Sequence, residues 1–343
     1  MSNWNYTTDW AYVNGLPTAS ARIRTTAEDF QVNELLNFEP TDAGEHVLLQ
    51  IRKRHLNTEW LAGHLAHCFQ VNRQQVGYAG LKDRHALTCQ WFSIHLPPIQ
   101  PHLEHDDFEV LQLRRHCCKL RRRHMKANQF ELVLRQLQDE HAELAPRLHA
   151  IAENGVPNYF GHQRFGHEGN NLAQAAAMLA GTKRVRSRHL RGLYLSAARA
   201  LLFNQVLSQR VKQGFWHQAV AGDVMLLVDN QLAVFETLTS ELEQQVKQFY
   251  CHPTGPLWGR GRTPAKLQAA DLETQVLSAY APWCDALEHS GLQQDRRALR
   301  LWVAEFNWQF WDQHTLKLKF TLPAGGYATT VLRELIQTDE HPL

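Results

Sequence analysis

The residues Gly80-Leu81-Lys82-Asp83-Arg84-His85-Ala86-Leu87-Thr88-Cys89-Gln90-Trp91 set the strongest constraint on this chain. An acid stands between two cations in a turn opened by glycine. The run Gln90-Trp91-Phe92-Ser93-Ile94 that follows has the aromatic and β-branched content of a strand. Gly80 permits a backbone angle closed to other residues, so the turn is expected to lift the short Asp83 side chain into a cleft. Positive charge on Lys82 and Arg84 favours the ionised form of a neighbouring carboxylate, which suits a nucleophile or a base. Local sequence alone is read more simply as a solvated surface turn.

With 343 residues, 44% of them apolar and 20% charged, the chain has room for two domains and a large core, and reads as a soluble globular protein. It has no apolar run of membrane-spanning length, and the start Met1-Ser2-Asn3-Trp4-Asn5 shows no basic stretch followed by an apolar one. No membrane and no targeting signal are therefore expected. The six cysteines are dispersed, and the adjacent Cys117 and Cys118 are awkwardly placed for a structural disulfide, so a reducing cytoplasm fits best. His64 and His67, or His116-Cys117-Cys118, do not supply the closed set of four ligands that a structural zinc needs, so no metal is expected.

The net charge is only +2, but it is unevenly placed. Arg114, Arg115, Lys119, Arg121, Arg122, Arg123 and Lys126 fall in one stretch without an acid, and Lys183, Arg184, Arg186, Arg188 and Arg191 form a second run. Each is either a solvated face or a surface for phosphates, and the presence of two favours a nucleic-acid partner.

Periodicity places the elements. Phe30, Val32 and Glu34 share a face of an extended segment, and Val47, Leu49 and Ile51 alternate as a strand. A helix capped by Asn57 or Thr58 would carry Trp60, Leu61, His64, Leu65 and Cys68 on one face. Phe130, Leu132 and Leu134 predict a half-buried strand, with Asn128 at its start. Further on, a helix over 172–180 is expected between Asn171 and Gly181, and a hairpin turns at Asp229-Asn230. Ser240-x-x-Glu243 reads as a capping box, and 254–262 as an exposed basic loop. Leu316, Leu318 and Phe320 form a last strand.

The pattern Gly80-x-Lys82-Asp83-x-x-Ala86-x-Thr88-x-Gln90 resembles the signature of the TruD family of tRNA pseudouridine synthases. Similar matches recur in order at Glu28-Asp29-Phe30-x-Val32-x-Glu34, at Asn128-Gln129-Phe130, at the glycine- and aromatic-rich 157–166, at 195–205 and at Leu322-Pro323-Ala324-Gly325-Gly326-Tyr327. The resemblance implies that Asp83 is catalytic and that Arg24, where the family usually has Lys, pairs with it. It implies that Phe30 and Tyr327 hold the target base and that Asn128 contacts substrate although Ala127 replaces the usual Gly, and Lys82 is expected to bind substrate beside them.

The implied fold is α+β. A pseudouridine-synthase catalytic domain with a mixed, largely antiparallel sheet is assembled from residues 1–157 and 305–343, and an α/β TRUD domain is inserted over 158–304. The implied substrate is the uridine at position 13, in the D-arm of tRNA, with no DNA. Isomerising it involves neither redox chemistry nor group transfer, so no cofactor is expected. The rival readings are a non-catalytic tRNA-binding protein or tRNA-folding chaperone, and a hydrolase using some of the 20 histidines. The joint presence of Arg24, Lys82 and Asp83 favours the enzyme, since binding alone needs no nucleophile. Nothing in the sequence fixes the oligomeric state.

Overall fold

The computed structural model describes residues 4, 6–97, 99, 101–139 and 142–338, so the opening residues read for a leader pattern lie largely outside it. The chain forms two compact units. One comprises Met1–Pro17, His149–Trp302 and Thr329–Glu334, the other Thr18–Leu148, Val303–Ala328 and Leu335–Leu343.

The second unit is built on a ten-stranded sheet. Its strands are β1 (Ser20–Arg22), β2 (Phe30–Leu36), β3 (His46–Lys53), β4 (Val76–Tyr78), β5 (Leu87–His95), β6 (Phe108–His116) and β7 (Met125–Gln138), followed by Ala304–Asp312, Thr315–Pro323 and the short Gln337–Thr338. The main path runs Ala304–Asp312, Thr315–Pro323, β7, β2, β5, β3, β6. β2 and β5 are parallel, as are β1 and Gln337–Thr338; the other pairs are antiparallel. The α+β class with a mixed, largely antiparallel sheet is thus borne out.

The alternation in β3 marks one covered face, on which Val47, Leu49 and Ile51 pack with Leu61, Leu65 and Phe69 of helix α1 (Thr58–Cys68) and its C-cap. The other face is covered too, because Leu48 packs with Trp91 and Leu120. Helix α1 departs from expectation at two points. Asn57 occupies the N-cap position without a side-chain cap bond, and Trp60 is exposed, stacked on His64. The Thr58 hydroxyl is instead engaged with the turn that carries Asp83, as described below.

In the first unit the 25-residue helix Arg188–Lys212 supplies Leu201, Phe203 and Leu207 to a core shared with Trp283. A four-stranded antiparallel sheet runs Leu232–Phe235, Asp223–Leu227, Cys251–Leu257, Asp295–Ala298. The hairpin at Asp229-Asn230 is present, with Asn230 at φ 62°. Three local expectations are corrected. The helix Asn170–Leu179 starts after Gly169, and the Asn171 amide donates to the Arg164 carbonyl at 3.2 Å rather than capping. The cap before Ser240–Lys247 is Thr239, one residue early, accepting from the Leu242 N–H. Residues 254–257 are strand, not exposed loop. The strand pairs on one side over Cys251–Pro253 and on the other over Thr254–Leu257, an arrangement that tolerates Pro253 and Pro256.

Among the described residues no helix is long and apolar enough to cross a membrane.

Candidate active site

One face of the second unit's sheet carries the site. Cross-strand register places Phe30, Val32 and Glu34 of β2 on the face shared by Thr88 and Gln90 of β5, Ile51 and Lys53 of β3, and Asn128 and Phe130 of β7. Glu34 lies opposite Asn128, which in turn lies opposite Leu322. A polar row of Gln90, Glu34 and Asn128 therefore crosses this face.

Asp83 stands in the turn between β4 and β5. Its Oδ1 accepts the His85 N–H at 3.0 Å, and its Oδ2 meets an Arg24 guanidinium nitrogen at 3.0 Å. The Asp83 side chain is 36% exposed, so the carboxylate is held yet reachable. Arg24 makes this contact from a left-handed backbone, φ 57°, and its guanidinium lies over the Phe30 ring, 4.4 Å from the centroid. A non-glycine residue in that conformation is strained, a cost concentrated at functional sites. Phe30 itself is buried, its ring near-perpendicular to that of Phe130. It is held in place by Asp29, a buried carboxylate gripped by Arg135 at 2.7 and 2.8 Å, whose Oδ2 also accepts the Thr26 N–H.

The turn is built differently from its sequence reading in two respects. Gly80 is not in the left-handed region; its lack of a side chain matters for room, since a Cβ would come within 3.3 Å of Met125 Sδ and 3.4 Å of Lys82 Nζ. Nor does Lys82 lie on Asp83. Its ammonium pairs with Glu34, both side chains nearly out of solvent, because a buried carboxylate requires a partner. Glu34 also accepts the Trp91 N–H at 3.2 Å, and burial pushes its carboxyl above the usual carboxylate range against the pull of Lys82. The other sequence neighbour, Arg84, turns to His85. The Thr58 hydroxyl accepts the Lys82 N–H at 3.0 Å and donates to Gln90, whose amide donates to the Gly80 carbonyl. These bonds tie the start of α1, the turn and β5 together.

Asn128 lies within β7 rather than at a turn, and it is buried with its Oδ1 lacking a hydrogen-bond partner. Buried polar atoms without partners are uncommon and mark a place for a ligand or water. Tyr327 is half-buried in the turn after Thr315–Pro323, and Pro323 pairs with Ala127, so that turn leaves the sheet at the Asn128 end. The structure thus joins Arg24, Phe30 and Asp83 by direct contact, and Lys82 and Asn128 through Glu34. The pairing of Glu34 with Lys82 escaped the sequence reading, which placed Glu34 only as a carboxylate on the strand face of Phe30 and Val32.

In the first basic run Arg115, Arg121, Arg122, Arg123 and Lys126 are exposed, while Arg114 pairs with Asp42. His116, Cys117 and Cys118 bring three ligand atoms within 4.8 Å of one another, amid these cations, which disfavour a further positive ion.

Comparison with known proteins identifies the family. The family described as tRNA pseudouridine synthase D (TruD) matches residues 9–185 and 169–335. The chain is 49% identical to a tRNA pseudouridine synthase D of Aeromonas hydrophila over 96% of its own length and 94% of the relative's. It is 48% identical to one of Nitrosococcus oceani, with the same coverage. A crystal structure from Methanosarcina mazei assigned to tRNA pseudouridine synthase D shares the fold, with a TM-score of 0.71 at 23% identity over 97% of this chain and 95% of that one. The chain belongs to the TruD family of tRNA pseudouridine synthases.

Proposed function

We propose that this enzyme isomerises the D-arm uridine at position 13 of tRNA to pseudouridine, with the Asp83 carboxylate acting on the ribose of a base turned out of its stack. Family membership supports the isomerisation of uridine in tRNA. The observation that carries the role given to Asp83 is its contact with Arg24, a partly exposed carboxylate fixed by a strained arginine, while position 13 rests on the family resemblance.

The reaction breaks the N1–C1′ bond, turns the base and joins C5 to C1′; the C5 proton is lost and N1 gains one, so atoms and electrons balance without a co-reactant. Asp83 either attacks C1′ or takes the C2′ proton to give a glycal. In both cases Arg24 and the His85 N–H fix the direction of the carboxylate's free lone pairs. A uridine inside folded RNA must leave its stack first. The unpartnered Asn128 Oδ1 is suited to accept the N3–H of uracil, Tyr327 offers stacking surface, and Phe30 supports Arg24 from beneath. The exposed arginines of 115–123 are placed to meet phosphates, which makes affinity fall with salt. We take residues 1–157 with 305–343 as the catalytic domain and 158–304 as the insertion.

The test is pseudouridine mapping of unmodified tRNA transcripts incubated with the protein, chelator and no cofactor. Conversion of one D-arm uridine is expected. Tight binding without conversion would favour the tRNA-folding chaperone instead.

A further inference from the structure

The turn that carries Asp83 is held by side chains. Among the described residues no backbone–backbone hydrogen bond is made by residues 81–85, although they connect the paired strands β4 and β5. Two backbone groups just before Asp83 are engaged instead by buried side chains. The Gly80 carbonyl accepts the Gln90 amide at 2.6 Å, and the Lys82 N–H donates to the Thr58 hydroxyl at 3.0 Å. Thr58 and Gln90 also meet each other, the hydroxyl donating to the amide oxygen at 3.0 Å. Gln90 is fully buried in β5 and Thr58 is 2% exposed at the start of α1.

These bonds run in one direction only. The Thr58 hydroxyl has a single proton, which goes to Gln90 and leaves its oxygen to accept from Lys82. Gln90 Oε1 is thereby fixed toward Thr58 and its NH2 group toward Gly80. Turning the amide over would set Oε1 against the Gly80 carbonyl and leave the Thr58 proton without its acceptor. A buried amide and a buried hydroxyl are costly unless both are bonded, and apolar side chains of the same shape would fill these places without that cost. Packing alone therefore gives no reason for the pair.

We propose that Thr58 and Gln90 are positioning residues, a buried side-chain clamp that takes the place of backbone pairing in this turn and fixes where the Asp83 carboxylate stands. The inference rests on the reading of Asp83 as the catalytic residue. Both residues act through the backbone at Gly80 and Lys82, from two elements that pack on the same sheet, while Arg24 and the His85 N–H orient the carboxylate itself.

Two measurements test it. The first is the single-turnover rate at saturating protein, with tRNA affinity and thermal unfolding, for wild type, Thr58→Val, Thr58→Ser, Gln90→Met, the double variant of Thr58→Val with Gln90→Met, and Asp83→Asn. Valine and methionine keep the shapes and remove the bonds. Thr58→Val and Gln90→Met should each be slower by about 10–100-fold, the range expected for a misplaced catalytic group, with tRNA affinity little changed. Thr58→Ser, which keeps the hydroxyl, should stay near the wild-type rate. The double variant should be no slower than the slower single one, because either change breaks the same clamp. Losses that multiply in the double variant, or wild-type rates in Thr58→Val and Gln90→Met beside an inactive Asp83→Asn, overturn the clamp alone. An active Asp83→Asn overturns the reading of Asp83 on which it rests.

The second measurement needs neither activity nor a folded variant. Amide hydrogen exchange of the wild-type protein, followed by NMR, should show the Lys82 N–H protected, and Thr58→Ser should keep that protection. A wild-type Lys82 N–H that exchanges as fast as an unstructured amide contradicts the clamp, whichever variants fold.

Discussion

Arg24 reaches Asp83 at 3.0 Å from a left-handed backbone, with its guanidinium stacked over Phe30. Three residues from two separate motifs are thereby locked into one object, and the chain accepts local strain to do it. A side chain in this conformation costs about 1 kcal/mol or more relative to glycine. The contact it secures is partly exposed and by itself is worth no more than that. Stability therefore gives no reason for the arrangement, whereas orientation of the Asp83 carboxylate does.

The first prediction follows from that imbalance. Arg24→Gly should be more stable than Arg24→Ala by about 1 kcal/mol, because glycine relieves the strain and alanine keeps it. Both should lose most single-turnover activity. Denaturant unfolding alongside the turnover assay checks this, and an alanine variant at least as stable as the glycine one would contradict it.

Lys82 tests the internal electrostatics. Its ammonium compensates the buried Glu34, so Lys82→Met should cost about 3–5 kcal/mol, as expected for a buried carboxylate stripped of its partner. Adding Glu34→Gln should recover much of the loss, since the neutral amide can still accept the Trp91 N–H. If Lys82→Met retained wild-type stability in urea, Lys82 could not be the buried partner described here.

Lys53 should oppose folding at neutral pH. Its folded value lies below the ordinary value of 10.5, at about 8, so between those limits the unfolded chain binds more protons than the folded one. Stability from this group therefore rises with pH across that window, and the full penalty is present below it. Lys53→Met removes an ammonium buried against the Leu56 carbonyl and should stabilise the protein by about 3 kcal/mol at pH 7, with the gain shrinking toward pH 10. Unfolding midpoints at the two pH values measure it; a destabilised variant at pH 7 would reverse the sign and refute the assignment of Lys53 as a buried, uncompensated cation.

The elements most readable from sequence were those with a clean period. Val47, Leu49 and Ile51, and Phe130, Leu132 and Leu134, gave β3 and β7 because alternation survives any sheet partner. The strand Cys251–Leu257 was hidden, because its prolines and Gly255 are turn residues by local chemistry and only its switch of partners midway accommodates them. At the site, the family resemblance pointed to Arg24 and Asp83, and the structure joins them. The destination of Lys82 was not legible, since adjacency in sequence suggested Asp83 while burial of Glu34 decided the matter. Nor could sequence reveal that Gly80 keeps an ordinary backbone angle and faces the side-chain ends of Met125 and Lys82. Both facts depend on side chains brought in from distant strands.

The decisive measurement is single-turnover pseudouridine mapping of an unmodified tRNA transcript with wild type and Asp83→Asn, at protein concentrations that saturate tRNA binding for both. Wild type should convert one D-arm uridine and Asp83→Asn none, with tRNA affinities within a few-fold of each other. Conversion by Asp83→Asn at the wild-type rate would contradict the role given to Asp83.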